Sequence, residues 1–156
     1  MMKKIFVSLI ILMMFSSCGF KVLNKSELSD FNIKELATSG DKRINYKIRN
    51  DLLTFNKVDS ANILKIELNS KKEKIIKEKN IKNQITKYQI KVNVNMNLNI
   101  INRGIKEKIN FSTEGSYNVA ENNSSTRNNE KKLVENLVSN ISQKILDKII
   151  SRVNDY

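Results

Sequence analysis

The 156-residue chain has no His, no Trp and no Pro, a single Cys and only four Gly. Without His it lacks the side chain that most often serves as general acid, general base and metal ligand near neutral pH. One Cys excludes an intramolecular disulfide, so stability must come from packing. No GxSxG, HExxH or CxxC pattern and no phosphate-binding glycine loop occurs, and the Asp and Glu residues are scattered with few close pairs. Two carboxylates alone can run glycoside hydrolysis, but nothing here singles out such a pair. These absences lead to the expectation of a protein that is not an enzyme and holds no cofactor or metal.

Long apolar runs are also scarce. The clearest runs from Ile5 to Phe15, short of the about 20 residues a membrane-spanning helix needs. It follows Lys3-Lys4 and precedes Ser16-Ser17-Cys18-Gly19, the order of a positive segment, a short apolar segment and small residues before a cleavage site that marks export. Residues 1–17 are therefore read as a lipoprotein signal peptide and Cys18 as the lipidation site. Its thiolate would accept a diacylglycerol and its freed amine a further acyl chain, and two or more chains anchor stably where one does not. An ordinary cleaved signal leaving a free thiol is the alternative. Gly19 follows Cys18 in place of the Asp that commonly retains lipoproteins at the inner membrane, which implies the cell outer membrane, periplasmic side. Residues 18–30 read as lipidated Cys and tether, with a short strand at 20–23, and residues 31–156 as a single α/β domain.

The chain carries 28 Lys and Arg against 16 Asp and Glu, a net charge of +12 that falls to +10 once Lys3 and Lys4 leave with the signal. Such a balance favours polyanions. Export argues against nucleic acid and leaves anionic lipid or phosphorylated glycolipid, while a general bias toward Lys, Asn and Ile is the alternative source of the charge. The densest basic run is 71–82, with Lys71, Lys72, Lys74 and Lys77 as candidate anionic-lipid contacts; it reads either as a basic connection between strands or as a wet strand extension. Arg103, in the turn Asn102-Arg103-Gly104, is a further candidate.

Along the chain, Phe31-Asn32-Ile33 begins a short strand. Ser39 and Asp41 precede Ile44, Ile48, Leu52 and Phe55, which recur at helical spacing, with Ser39 as expected cap. Leu64, Ile66 and Leu68 alternate with polar residues, as do the even positions from Tyr88 to Ile100, predicting a half-buried strand in each case. Ile105, Ile109, Phe111, Tyr117 and Val119 continue the pattern on a partner strand, where Glu107, Thr113 and Gly115 on the same face suggest a bulge or an early exit from the sheet. A polar linker is expected over 121–129. From Glu130 a helix follows, with Leu133, Leu137, Ile141, Ile145, Ile149 and Val153 in one four-spaced row. The expected fold is α+β: a mainly antiparallel sheet with two amphipathic helices packed on one face.

The start Cys18-Gly19-Phe20, followed by a small strand-and-helix domain ending in a long amphipathic helix, resembles the LPS-assembly lipoprotein family, LptE, particularly its alphaproteobacterial branch. The resemblance covers the whole chain in architecture. It implies a lipoprotein anchored in the outer membrane that forms a complex with the LptD β-barrel, sits in its lumen and assists lipopolysaccharide assembly in the outer leaflet. Two other readings stay open. One is an auxiliary lipoprotein of an envelope transporter that binds a lipid or small ligand in an apolar cavity, and the other is a tether to peptidoglycan.

Overall fold

A computed structural model describes residues 30–155. The signal peptide, Cys18 and the tether as far as Ser29, with the short strand expected at 20–23, lie outside the described residues. Strand β1 (Asn32–Gly40) leads into helix α1 (Lys42–Leu53), then β2 (Ile63–Lys79), β3 (Ile85–Ile100), a 3-10 turn (Ile101–Arg103), β4 (Ile105–Asn118) and helix α2 (Asn123–Asn154). The four strands lie side by side in chain order. β2–β3 and β3–β4 pair antiparallel, whereas β1 runs parallel to β2. The sheet is thus mixed, because α1 is the crossover that a parallel pair requires.

The expected core is present. Even-numbered residues of β3 from Ile90 to Ile100 are buried, as are Leu64, Ile66 and Leu68 of β2. Ile44, Ile48 and Leu52 of α1 and Leu137, Ile141, Ile145, Ile149 and Val153 of α2 complete one cluster between sheet and helices. Burying large aliphatic side chains contributes about 1.5–3 kcal/mol each, so this layer holds the fold.

Four local expectations change. Ser39 lies in β1, and Asp41 caps α1 instead, its Oδ1 accepting from the backbone N–H groups of Arg43 at 3.0 Å and Ile44 at 3.2 Å. Gly40 makes that tight entry possible. Its φ is +92°, and a Cβ there would stand 2.0 Å from the Ser70 carbonyl oxygen.

The second change concerns the polar segment 121–129, most of which is helical. Asn122 caps α2 by accepting from the Ser125 N–H at 2.7 Å. Segment 123–129 offers no apolar residue to bury, so its helical period leaves no hydrophobic trace.

Third, β4 keeps an unbroken register from Ile105 to Asn118. The residues that break its apolar pattern are each accommodated by α2. Glu107 binds Arg152 through two hydrogen bonds of 2.7 and 2.9 Å, the Thr113 hydroxyl donates to the Leu137 carbonyl at 3.4 Å, and Gly115 leaves room for Leu133, whose Cδ1 would lie 2.7 Å from an added Cβ.

Fourth, of the two readings of the basic run the strand extension holds over 71–79, and Ile81 and Lys82 lie in the turn beyond it. β2 continues through Lys79, its residues from Lys71 on pairing with the stretch of β3 from Asn93 back to Ile85, and Lys72 stands opposite Val92 as Ile76 does opposite Tyr88.

Candidate functional site

Two surfaces of the described residues stand out once the core is closed: the open face of the sheet and the far end of the β2–β3 hairpin. Strand alternation builds the first. Side chains at odd positions of β2 and β3 and even positions of β4 point away from the helices, and the register stacks them into rows. The central row is Ser39, Asn69, Asn95 and Asn110, one residue from each strand, with the Asn69 amide donating to the Ser39 hydroxyl at 2.8 Å. It carries no formal charge.

The flanking rows mix charges and amides. On one side Glu67, Asn97 and Lys108 align, with the Asn97 amide donating to Glu67 at 3.1 Å. Beyond them Lys65 pairs with Glu35 at 3.0 Å. On the other side Lys71, Asn93 and Ser112 align, and the Ser112 hydroxyl donates to Asn93 at 2.8 Å. The strongly basic composition of the chain therefore does not make this face strongly basic. Its charges are largely matched, and its centre is a neutral band of amides.

The candidate lysines of β2 divide between the two faces, so they do not form one patch. Lys71 is on the open face, 2.8 Å from Glu73, and its hydrogen bond and charge hold the Glu73 carboxyl below the ordinary carboxylate range. Lys72 and Lys74 are on the covered face, where both meet Glu130 of α2, at 3.6 and 2.6 Å. The Lys74 ammonium also lies 4.2 Å from the Tyr88 ring centre, and Tyr88 stacks on Tyr117, whose hydroxyl donates to Glu130 at 2.8 Å.

Burial pushes the Glu130 carboxyl up, but the hydrogen bonds from Lys74 and Tyr117 and the charges of Lys74 and Lys72 outweigh it, and the net displacement is downward. This cluster fastens the first half of α2 to the sheet beside the buried Ile90 and Val92 of β3. Lys77 is exposed and stands where the β2–β3 pairing skips a residue, between Ile76 and Glu78.

Arg103 sits at the other end of the sheet. Its guanidinium donates to the Val153 carbonyl at 2.9 Å, satisfying a carbonyl in the last turn of α2. Glu130, Tyr88 and Tyr117 are expected from the sequence only as positions of a helix and two strands; their meeting depends on tertiary register. Among the described residues no group of His, Cys, Asp or Glu is placed to hold a metal ion, and no helix is long and apolar enough to cross a membrane.

No protein-family model matches the sequence, and a comparison with curated proteins finds no match. Solved structures do match. Rare lipoprotein B from Shewanella oneidensis superposes with a TM-score of 0.61 at 15% identity, over 78% of this chain and 97% of that one. Lipoprotein B from Nitrosomonas europaea gives 0.53 at 15% identity, over 86% and 92%. The minor lipoprotein from Acinetobacter baumannii gives 0.53 at 13% identity, over 76% and 94%. The chain has the fold of these lipoproteins. The sheet and both helices described above therefore belong to an architecture that widely diverged sequences adopt.

Proposed function

We propose that the chain is a lipoprotein of the outer membrane, anchored on the periplasmic side through Cys18, that forms a complex with an LptD-like β-barrel and assists lipopolysaccharide assembly in the outer leaflet. The observation that carries this reading is the open sheet face, with its neutral amide band and matched charges. Large outer-membrane barrels have polar interiors, and a face of amides exchanges hydrogen bonds with such a wall without burying an unpaired charge. The resemblance at Cys18-Gly19-Phe20 and the fold shared with the lipoproteins support the same reading.

Within it, direct contact with lipopolysaccharide phosphates falls to Lys77 and to Lys71, which stays well exposed although it pairs locally with Glu73, because Lys72 and Lys74 are drawn onto Glu130 of α2 and Arg103 onto the end of that helix. Replacing Lys71 and Lys77 by Gln is expected to weaken binding to purified lipopolysaccharide and to flatten its salt dependence. Unchanged binding removes both residues from the proposal. The complex is tested by purifying the anchored protein from gently solubilised outer membranes and identifying what accompanies it in stoichiometric amount. A large β-barrel is expected; transporter components, cell-wall sacculi or no partner would favour the carrier or tether readings.

A further inference from the structure

The β2–β3 hairpin outruns both of its neighbours. β1 stops at Gly40 opposite Ser70, and β4 stops at Asn118 opposite Lys87. The turn at its end is firmly built. The Asn80 N–H donates to the Gln84 carbonyl and the Asn83 N–H to the Asn80 carbonyl, each at 2.9 Å. Asn80 Oδ1 accepts from the backbone N–H groups of Lys82 and Gln84 at 3.0 Å, and its amide donates to Gln84 Oε1 at 2.9 Å. Asn83 takes the left-handed φ of 60° that the turn needs, a conformation Asn tolerates.

This ordered turn holds Ile81 fully exposed, with Ile75 and Ile76 half exposed behind it on β2. The nearby carboxylates are engaged, Glu73 by Lys71 at 2.8 Å and Glu78 by Lys87 at 2.7 Å. Lys77, Lys79 and Lys82 flank Ile81 in the chain, all exposed and without a carboxylate partner among the described residues; Lys79 makes a 3.0 Å hydrogen bond to Asn83. A hydrogen-bonded turn that offers one branched apolar side chain to solvent between exposed lysines buries nothing among the described residues. Its chemistry is that of the boundary between anionic headgroups and acyl chains, where an apolar tip enters and Lys stems extend to phosphate.

We propose that the β2–β3 tip docks on the surface of an anionic phospholipid bilayer, with Ile81 entering the acyl boundary and Lys77, Lys79 and Lys82 meeting lipid phosphates. The inference rests on the hairpin alone and is independent of the barrel complex. The tip is also remote from the point where the chain enters the domain, since Asn32 pairs with Ile63 at the opposite end of the 17-residue β2, about 55 Å away at strand rise.

The absence of Trp in the chain makes the test direct. The chain from residue 18 with Cys18→Ser has no acyl anchor and keeps the whole core, which lies between Phe31 and Val153. In that background Ile81→Trp supplies a single indole at the tip, and Val58→Trp supplies one at an exposed position toward the opposite end of β2.

With vesicles of phosphatidylcholine and phosphatidylglycerol, the indole of Ile81→Trp is expected to shift to the blue and to be quenched by brominated acyl chains. Pure phosphatidylcholine vesicles should produce neither effect, and Val58→Trp should not respond to either lipid. Replacing Lys77, Lys79 and Lys82 together by Gln is expected to weaken vesicle binding on the order of a hundredfold, and Ile81→Ser on the order of tenfold. An indole at position 81 that stays solvent-exposed while the protein binds vesicles, equal responses at positions 58 and 81, or no binding at all would each overturn the proposal.

Discussion

The two faces of the β2–β3 hairpin carry different burdens although they alternate along the same strands. On the covered face, Leu64, Ile66, Leu68 and the even residues of β3 are sealed by the helices. Farther along that face β3 still buries Ile90 and Val92, but β2 turns to Lys72 and Lys74, which both meet Glu130, with Lys74 also over the Tyr88 ring. The open face is polar over most of its length, with rows of amides and charges, and carries the half-exposed Ile75 only toward the hairpin tip. Met96 and Asn95 are consecutive residues, yet one is wholly buried and the other exposed. The difference separates two roles: the covered face determines whether the domain folds, and the open face is free to suit a partner.

That separation is most exposed to failure at the centre of α2. Ile141 is wholly buried, and Ile141→Asp is expected to destabilise the domain by more than about 4 kcal/mol, enough to unfold it, because a carboxylate would enter an apolar layer with no cation to meet it. Its neighbour in the exposed row, Asn140→Asp, should change the urea midpoint little. Equal effects of the two would mean that the helix faces the sheet differently. On β3, Met96→Ala is expected to remove about 2–4 kcal/mol through the cavity it leaves, measured by thermal or urea unfolding.

A smaller effect is expected where the covered face is polar. Glu130→Gln should weaken the hold of Lys74, Lys72 and Tyr117 on α2 by about 1–3 kcal/mol. The pH dependence follows from the lowered carboxyl of folded Glu130. Its stabilisation is fully present above the unfolded carboxyl pKa of about 4.3 and is lost as pH falls through the lower folded value. Acid unfolding curves of the protein and of Glu130→Gln should therefore converge in that window. A constant gap down to the lowest pH would remove Glu130 from the cluster. Smallest of all, Asn95→Ala should alter stability by less than about 0.5 kcal/mol while sitting at the centre of the face proposed to meet the barrel.

Much of this division was legible in the residues. The even positions from Tyr88 to Ile100 show which side of β3 is covered, and the row from Leu133 to Val153 shows what covers it. Local periodicity fails where the partner is polar or supplied by distant chain. Lys71–Lys79 reads as a basic run because its pairing with β3 and its contact with Glu130, 56 residues beyond Lys74, are invisible to neighbouring positions. The start of α2 was hidden because segment 123–129 buries no apolar side chain. Glu107, Thr113 and Gly115 suggested disruption of β4, yet each meets a complementary group on α2. The candidate contacts scattered for the same reason: Lys71 and Lys77 remain exposed, whereas Lys72, Lys74 and Arg103 are drawn into tertiary contacts that hold α2 in place.

The most direct test places a photo-crosslinking residue at position 95 or at position 140 in the full-length protein and irradiates cells before the envelope is solubilised. The proposed complex predicts a covalent adduct to an outer-membrane β-barrel from position 95 on the open sheet face, and little or none from position 140 on the exposed side of α2. Adducts from position 140 alone, or adducts from position 95 to transporter components or peptidoglycan-bound material, would contradict it.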